Sequence, residues 1–148
     1  MEIKNVVLYC RVSTEEQEKG SSLDWQEDYL RRYCDMKNYN VVKVYREDKS
    51  AKSGFGNRKE FQALMKFCKA NKHDIDYVFV YRWDRYSRNL KEALINLDYF
   101  EKLHIEVNSV EQNIDFHASD YITMLSLYIS MAQSEDTKIS RRTREGIH

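Results

Sequence analysis

Short apolar runs rich in β-branched and aromatic residues alternate along this chain with stretches whose apolar residues recur at helical spacing. Residues 3 to 9, 41 to 46 and 77 to 81 are such runs, too short for helices, and 105 to 110 is a fourth; these are the predicted strands. Between them, Leu23, Leu30, Tyr33 and Cys34, then Phe61, Leu64, Met65 and Cys68, then Leu90, Leu94, Leu97 and Phe100 each mark one face of a helix. Parallel strands need a crossover of a dozen or more residues, and a helix supplies it. The expected fold is therefore α/β, with a mostly parallel central sheet of about four to five strands flanked by helices. At 148 residues one core suffices, since a chain of this size buries roughly two-thirds of the surface exposed when unfolded.

The last third differs in kind. From Ser119 to Glu145 nothing breaks a helix, and Tyr121, Ile122, Met124, Leu125, Leu127, Tyr128, Ile129, Met131 and Ala132 would cover every side of it. Such a helix needs partners all round, so Tyr121, Met124, Leu125, Tyr128 and Ile129 are candidates for a subunit interface; a fully buried core helix is the alternative. The expected division is residues 1–117 as a catalytic or binding domain and 118–148 as the start of a long oligomerisation helix. The sequence ends on a basic stretch with no closing element, so a continuation is expected.

Charge restricts the partners. Lys and Arg number 24, Asp and Glu 24, and the net charge is zero, unlike a strongly basic autonomous nucleic-acid binder. An anionic ligand must therefore meet local positive charge. The three cysteines, Cys10, Cys34 and Cys68, form no Cys-x-x-Cys pair, and no histidine stands at metal-ligand spacing, so core packing in a reducing compartment is expected and a zinc site is not. No secretory signal and no bilayer-length apolar run is visible, which predicts a cytoplasmic protein without a membrane partner.

In open α/β sheets, ligands gather at the carboxyl ends of the strands. Here the first strand runs into Arg11 and Ser13, and the third into Arg82, Asp84, Arg85 and Arg88, with Arg85 and Arg88 expected one helical turn apart. If those strands are neighbours, one serine faces several guanidiniums, whose forks match phosphate oxygens and stay charged at any relevant pH. Each piece has a plainer explanation: Thr14 and Gln17 have capping-box spacing, and the arginines alone would form a solvated face. Other phosphate chemistries fit worse. Gly54-Phe55-Gly56 does not join a strand to a helix, so neither a Walker loop nor a dinucleotide fingerprint is present. No cluster of carboxylates for two metals stands at the strand ends. Residues 47 to 57, with two of the four glycines, make the best candidate for a mobile loop. The residues by themselves lead to a phosphate-binding α/β domain with a candidate serine nucleophile.

Four blocks in order, Tyr9-Cys10-Arg11-Val12-Ser13-Thr14, Leu23-Asp24-Trp25-Gln26, Asp48 to Arg58, and Asp84-Arg85-Tyr86-Ser87-Arg88, resemble the serine recombinases, the family of resolvases, invertases, integrases and transposases. The resemblance covers nearly the whole chain as the family's catalytic domain plus the start of its long helix, with the DNA-targeting domains absent. The wide spacing from Thr14 to Gln26 is similar to the large integrase and transposase group. The resemblance implies that Ser13 attacks a DNA phosphodiester and becomes joined to the 5′ phosphate, with no metal or cofactor. It implies that Arg11, Arg85, Arg88 and the loop's Arg58 stabilise the phosphoryl oxygens, that Asp84 holds guanidiniums in place, and that Gln26 supports the pocket. It further implies double-stranded DNA as partner, a homodimer or homotetramer built on the long helix, and Lys138, Arg141, Arg142 and Arg144 along the DNA backbone. Cations that merely suit a helix C-terminus are the plainer reading of those four. Two positions depart from the family pattern: Asp136 follows Glu135 where an arginine is frequent, and Lys59 follows Arg58 where a proline is frequent. The rival readings are a non-catalytic oligomerisation module with the same fold and a small-molecule phosphate-binding protein.

Overall fold

The computed structural model describes residues 2–12, 22–48 and 58–130. In chain order these form β1 (Asn5–Arg11), α1 (Leu23–Met36), β2 (Asn40–Glu47), α2 (Lys59–Ala70), β3 (Tyr77–Val80), the single turn α3 (Trp83–Tyr86), α4 (Leu90–Lys102) and β4 (Glu106–Ser109). A further helix, α5, runs over residues 121–130. The four strands lie in the order β2-β1-β3-β4, all parallel. The predicted α/β class and all four predicted strands are present, with shifted ends.

β1 is interior and buried on both faces, which is why it reads as an unbroken apolar run. Val7 and Tyr9 point to the side holding Phe61 and Leu64 of α2, Phe100 of α4, and Leu125 and Ile129 of α5. Val6, Leu8 and Cys10 point to the other side, against Leu30 and Cys34 of α1. The register of β1 on β2 slips between Val6 and Val7, which pair with Val41 and Lys43. The skipped Val42 is left exposed.

Both ends of β1 are fixed by its neighbours. The strand predicted over residues 3 to 9 instead spans Asn5–Arg11. Its start is set where the Asn5 N–H donates to the Asp76 carboxylate at 2.8 Å, beside β3. At its far end Arg11 is still a strand residue, registered against Glu47.

With few glycines available, two helices end on other residues in the left-handed region. Asn38 and His104 both have φ of 60°. After α1, Tyr39 N–H reaches Cys34 O at 2.8 Å and Asn38 N–H reaches Asp35 O at 3.1 Å; after α4, Ile105 N–H reaches Phe100 O at 3.0 Å and His104 N–H reaches Glu101 O at 2.9 Å. Both are Schellman closures, which satisfy carbonyls the helix would otherwise leave open.

Helix α5 departs from the expectation of apolar contacts all round. Leu125 and Ile129, expected at a subunit interface, are buried in the chain's own core, with Tyr121 and Tyr128 packed partly against it and Met124 half-buried. The exposed apolar side chains of α5 are instead Ile122 and Leu127. Helical spacing shows an apolar surface without saying which part the sheet's own layer will take. The expected continuation to Glu145 lies outside the described residues, as do Lys138, Arg141, Arg142 and Arg144. Among the described residues no helix is long and apolar enough to cross a membrane.

His104 carries a Cβ where the backbone is left-handed, which costs about 1–2 kcal/mol relative to glycine. Part of that is offset by the greater freedom of glycine in the unfolded chain. His104→Gly is therefore expected to stabilise the fold by about 0.5–1 kcal/mol, read from urea midpoints at unchanged slope; a destabilised variant would mean the imidazole makes a compensating contact.

Candidate active site

The carboxyl ends of β1 and β3 are adjacent, and β3 leads into a short helical turn. There the chain passes through Arg82 into α3, four residues long. A helix this short cannot hold itself, because nucleation fixes several residues for a single hydrogen bond. Its hold comes from side chains. The Trp83 N–H donates to Gln112 Oε1 at 3.0 Å and the indole Nε1 to Gln112 O at 2.8 Å. The four carbonyls are taken up in turn. Trp83 O accepts from Ser87 N–H at 2.9 Å, Asp84 O from Arg11 Nη2 at 2.7 Å, Arg85 O from Arg11 Nε at 2.9 Å, and Tyr86 O from Arg58 Nη1. Two arginines from other elements thus close the C-terminal end of α3.

Arg11 is positioned by its own strand. Its N–H donates to Gln26 Oε1 at 3.3 Å and its carbonyl accepts from Gln26 Nε2 at 3.0 Å, so the side-chain amide pairs with Arg11 as a neighbouring strand's peptide would. Gln26 lies on the buried face of α1 and is wholly buried there. The register of β1 on β3 covers Val6 to Leu8, and beyond it Gln26 takes over.

Asp84 sits between guanidiniums, with Oδ2 2.7 Å from Arg85 Nη1 and Oδ1 3.7 Å from Arg82 Nε. Arg85 is buried with it. Arg88 stands differently from expectation. Ser87 is extended (φ −160°, ψ 151°), so the helix has ended and Arg85 and Arg88 are not one helical turn apart. Arg88 lies in the link between α3 and α4, half-buried, where Ser87 Oγ accepts from Asn89 N–H and donates to Asn89 O, both at 3.0 Å. A serine hydroxyl that satisfies the backbone locally breaks a helix at such a position.

Arg58 is the residue before α2 and is buried at 3% exposure, not displayed on a loop. Its charge is felt by Tyr9 and Tyr86, although burial dominates and pushes both phenols far above their usual range. Both therefore keep their protons at neutral pH, and Tyr9 donates to Glu47 Oε1 at 3.1 Å. Glu47, buried at 4% exposure, is the residue that reasoning from sequence missed, because it reads as the first polar residue of a loop. The available signal was negative: Arg58 precedes an obvious helix and cannot act as its N-cap acceptor.

Ser13, Thr14 and Gln17 lie outside the described residues. The described site brings together Arg11, Gln26, Arg58, Asp84 and Arg85, with Arg82 and Arg88 beside them on the same segment. Among these and Glu47, five guanidiniums face two carboxylates, a local positive excess within a chain of zero net charge. Among the described residues no group of three or more His, Cys, Asp or Glu side chains could hold a metal ion. Cys10, Cys34 and Cys68 are buried and free, with burial pushing their thiols up to about 12, 11 and 12.

Gln26→Leu keeps the buried volume and deprives Arg11 of both amide partners. Losses on the order of 2–4 kcal/mol in stability are expected from two buried backbone groups left without them. Equilibrium unfolding would measure this, and a loss below about 0.5 kcal/mol would mean that the Arg11 backbone finds other partners.

The comparisons with known proteins converge on one family. The family pattern described as "Resolvase, N terminal domain" matches residues 6–148. The Transposon Tn917 resolvase of Enterococcus faecalis is 24% identical over 139 residues, which are 94% of this chain and 67% of that protein. Among solved structures, the N-terminal catalytic domain of TP901-1 integrase superposes with a TM-score of 0.69 at 28% identity, covering 92% of this chain and 98% of that one. A resolvase family site-specific recombinase from Streptococcus pneumoniae gives 0.66 at 28% identity, covering 97% and 95%. The fold, its buried arginines and these likenesses agree: the chain belongs to the resolvase family of serine recombinases and carries that family's N-terminal catalytic domain.

Proposed function

We propose that this domain cuts and rejoins DNA through Ser13. The observation that carries the reading is the set of guanidiniums gathered at the end of β1, the strand whose last residue, Arg11, precedes Ser13 by two positions in the sequence. In the proposed step Ser13 Oγ attacks a phosphodiester phosphorus, the P–O3′ bond breaks, and the products are a 5′-phosphoserine linkage and a free 3′ hydroxyl. The serine proton is lost to a base and the leaving 3′ oxygen gains one, so charge and protons balance. Ligation is the same step reversed, with the 3′ hydroxyl attacking the phosphoserine. The bond energy is stored in the covalent intermediate, so no nucleotide is consumed.

Arg85, Arg88, Arg58 and Arg11 would share the charge that builds on the phosphoryl oxygens, fixed in advance so that no reorganisation is needed as the reaction proceeds. A guanidinium has five N–H donors, so a carbonyl contact on one edge leaves other donors able to bind phosphate. Asp84 would set the orientation of Arg82 and Arg85. Duplex DNA is the proposed substrate and a second copy the proposed partner. The exposed Ile122 and Leu127, with the groove of about 620 Å³ that Leu94, Leu97, Phe116 and Ile122 line together with Asp98, Glu101 and Glu106, would supply the surface for it.

The full-length protein carrying this domain, mixed with a plasmid bearing the DNA that flanks its gene, is expected to become covalently attached to 5′ ends. Ser13→Ala should give no attachment, and Arg85→Ala should slow it by about 10²–10³. Attachment that persists in Ser13→Ala would exclude Ser13 as nucleophile. Wild-type protein that assembles on DNA without attaching would favour the non-catalytic oligomerisation module.

A further inference from the structure

Glu47 closes a ring of contacts around Arg58. Helix α2 begins directly after Arg58, whose side chain makes no capping bond. The cap arrives from β2 instead: Glu47 Oε2 accepts the Glu60 N–H at 3.1 Å and Oε1 the Phe61 N–H at 3.0 Å. A carboxylate is the strongest acceptor available for open N–H groups at a helix start, and its charge suits that end of the helix. Oε1 also accepts from Tyr9, two residues before Arg11 on β1. The Phe61 ring packs edge-on against Tyr9 at 5.2 Å and against Tyr86 at 5.7 Å, and Tyr86 offers its carbonyl to Arg58. Starting at Glu47, the contacts run through Phe61 and Tyr86 to Arg58 and return to Glu47 through the first turn of α2.

Glu47 and Arg58 also flank residues 48–57. One carboxylate, at the end of the strand before that segment, grips the helix after it. The start of α2, and with it Arg58, is therefore tied to β1 and β2 by direct contacts. Glu47 is 4% exposed and Tyr9 wholly buried, so the grip is made away from solvent, where it is strongest.

We infer that Glu47 is a positioning residue for Arg58, holding it in the orientation in which it meets the reacting phosphate. This rests on the proposed function, in which Arg58 is one of the phosphate-binding arginines. Glu47 itself touches no DNA. Its loss should lower the rate of the chemical step and leave DNA affinity unchanged, because a misplaced catalytic group costs rate even when the displacement is about 1 Å.

The test is a double-mutant cycle in the full-length protein, reading the single-turnover rate of covalent 5′ attachment at saturating DNA together with DNA affinity. Glu47→Gln keeps the size of the side chain and removes the charge and one acceptor oxygen; it carries the test if Glu47→Ala fails to fold by circular dichroism. Glu47→Gln is expected to slow attachment about tenfold or more without weakening DNA binding. In an Arg58→Ala background the same change should cost less than about twofold, because the residue it positions is gone. An undiminished loss in that background would overturn the proposal while leaving the recombinase reading intact. So would a weaker affinity at unchanged rate. An Arg58→Ala protein as fast as wild type would overturn the role of Arg58 and this inference with it.

Discussion

The structure depends on how the open carbonyls of one short helical turn are satisfied. α3 is a single turn closed within itself only by the bond from Ser87 N–H to Trp83 O, yet it carries Asp84 and Arg85 and sets where Arg88 emerges. Its last three carbonyls accept from Arg11 and Arg58, which arrive from β1 and from the start of α2. Hydrogen bonds from a charged donor contribute about 1.5–3 kcal/mol each, roughly twice a neutral bond. Three of them join three separate elements at the carboxyl end of the sheet. Remove the guanidiniums and the carbonyls are left buried without those donors, while α3 loses what holds it to β1.

This arrangement also settles a problem of charge. Arg11, Arg58 and Arg85 are each below a tenth exposed, and Asp84 and Glu47 are the buried carboxylates beside them. Buried cations are tolerated when carbonyls and carboxylates replace their water. Carbonyl dipoles do so without cancelling the net charge, whereas a carboxylate for every arginine would leave a neutral cluster with no pull on an anion. The positive excess at this end of the sheet survives because backbone oxygens do much of the solvating. That is the electrostatic condition for a phosphate site in a chain whose overall charge is zero.

Much of this is legible in the sequence for a physical reason. β1 is buried on both faces and so has no polar position between Asn5 and Arg11 to blur it, and each flanking helix buries one stripe, so period and composition agree. The adjacency of the β1 and β3 ends, conditional in the sequence, comes from the strand order β2-β1-β3-β4. Less legible is whatever depends on a single side chain reaching across the fold. Resemblance implies that Gln26 supports the pocket; that it pairs with both backbone groups of Arg11 has no signature in spacing. Glu47 sits among Arg46, Asp48 and Lys49 and reads as loop, because nothing local marks a carboxylate whose partners are 13, 14 and 38 residues away. Arg85 and Arg88 share helical spacing, but Ser87 turns inward on the backbone and ends the helix between them. On α5, periodicity marks the apolar positions while the division between core and exposed face is a tertiary outcome.

Such a site differs from a set of charges placed on a rigid surface. Each arginine has a structural contact and a proposed chemical one, so fold and reactivity share atoms. Replacing Arg11 with lysine would preserve the charge and still fail, since one ammonium on a flexible stem cannot reproduce the planar fork that meets Asp84 O and Arg85 O together. The same sharing gives preorganisation. Under the proposed function the guanidiniums would be oriented by contacts made on folding, before any phosphate arrives, and the ordering entropy would be met then and not in the transition state. A site built this way tolerates little exchange at its arginines, while its surroundings, from the exposed β2 edge to α1's outer face, remain free to vary.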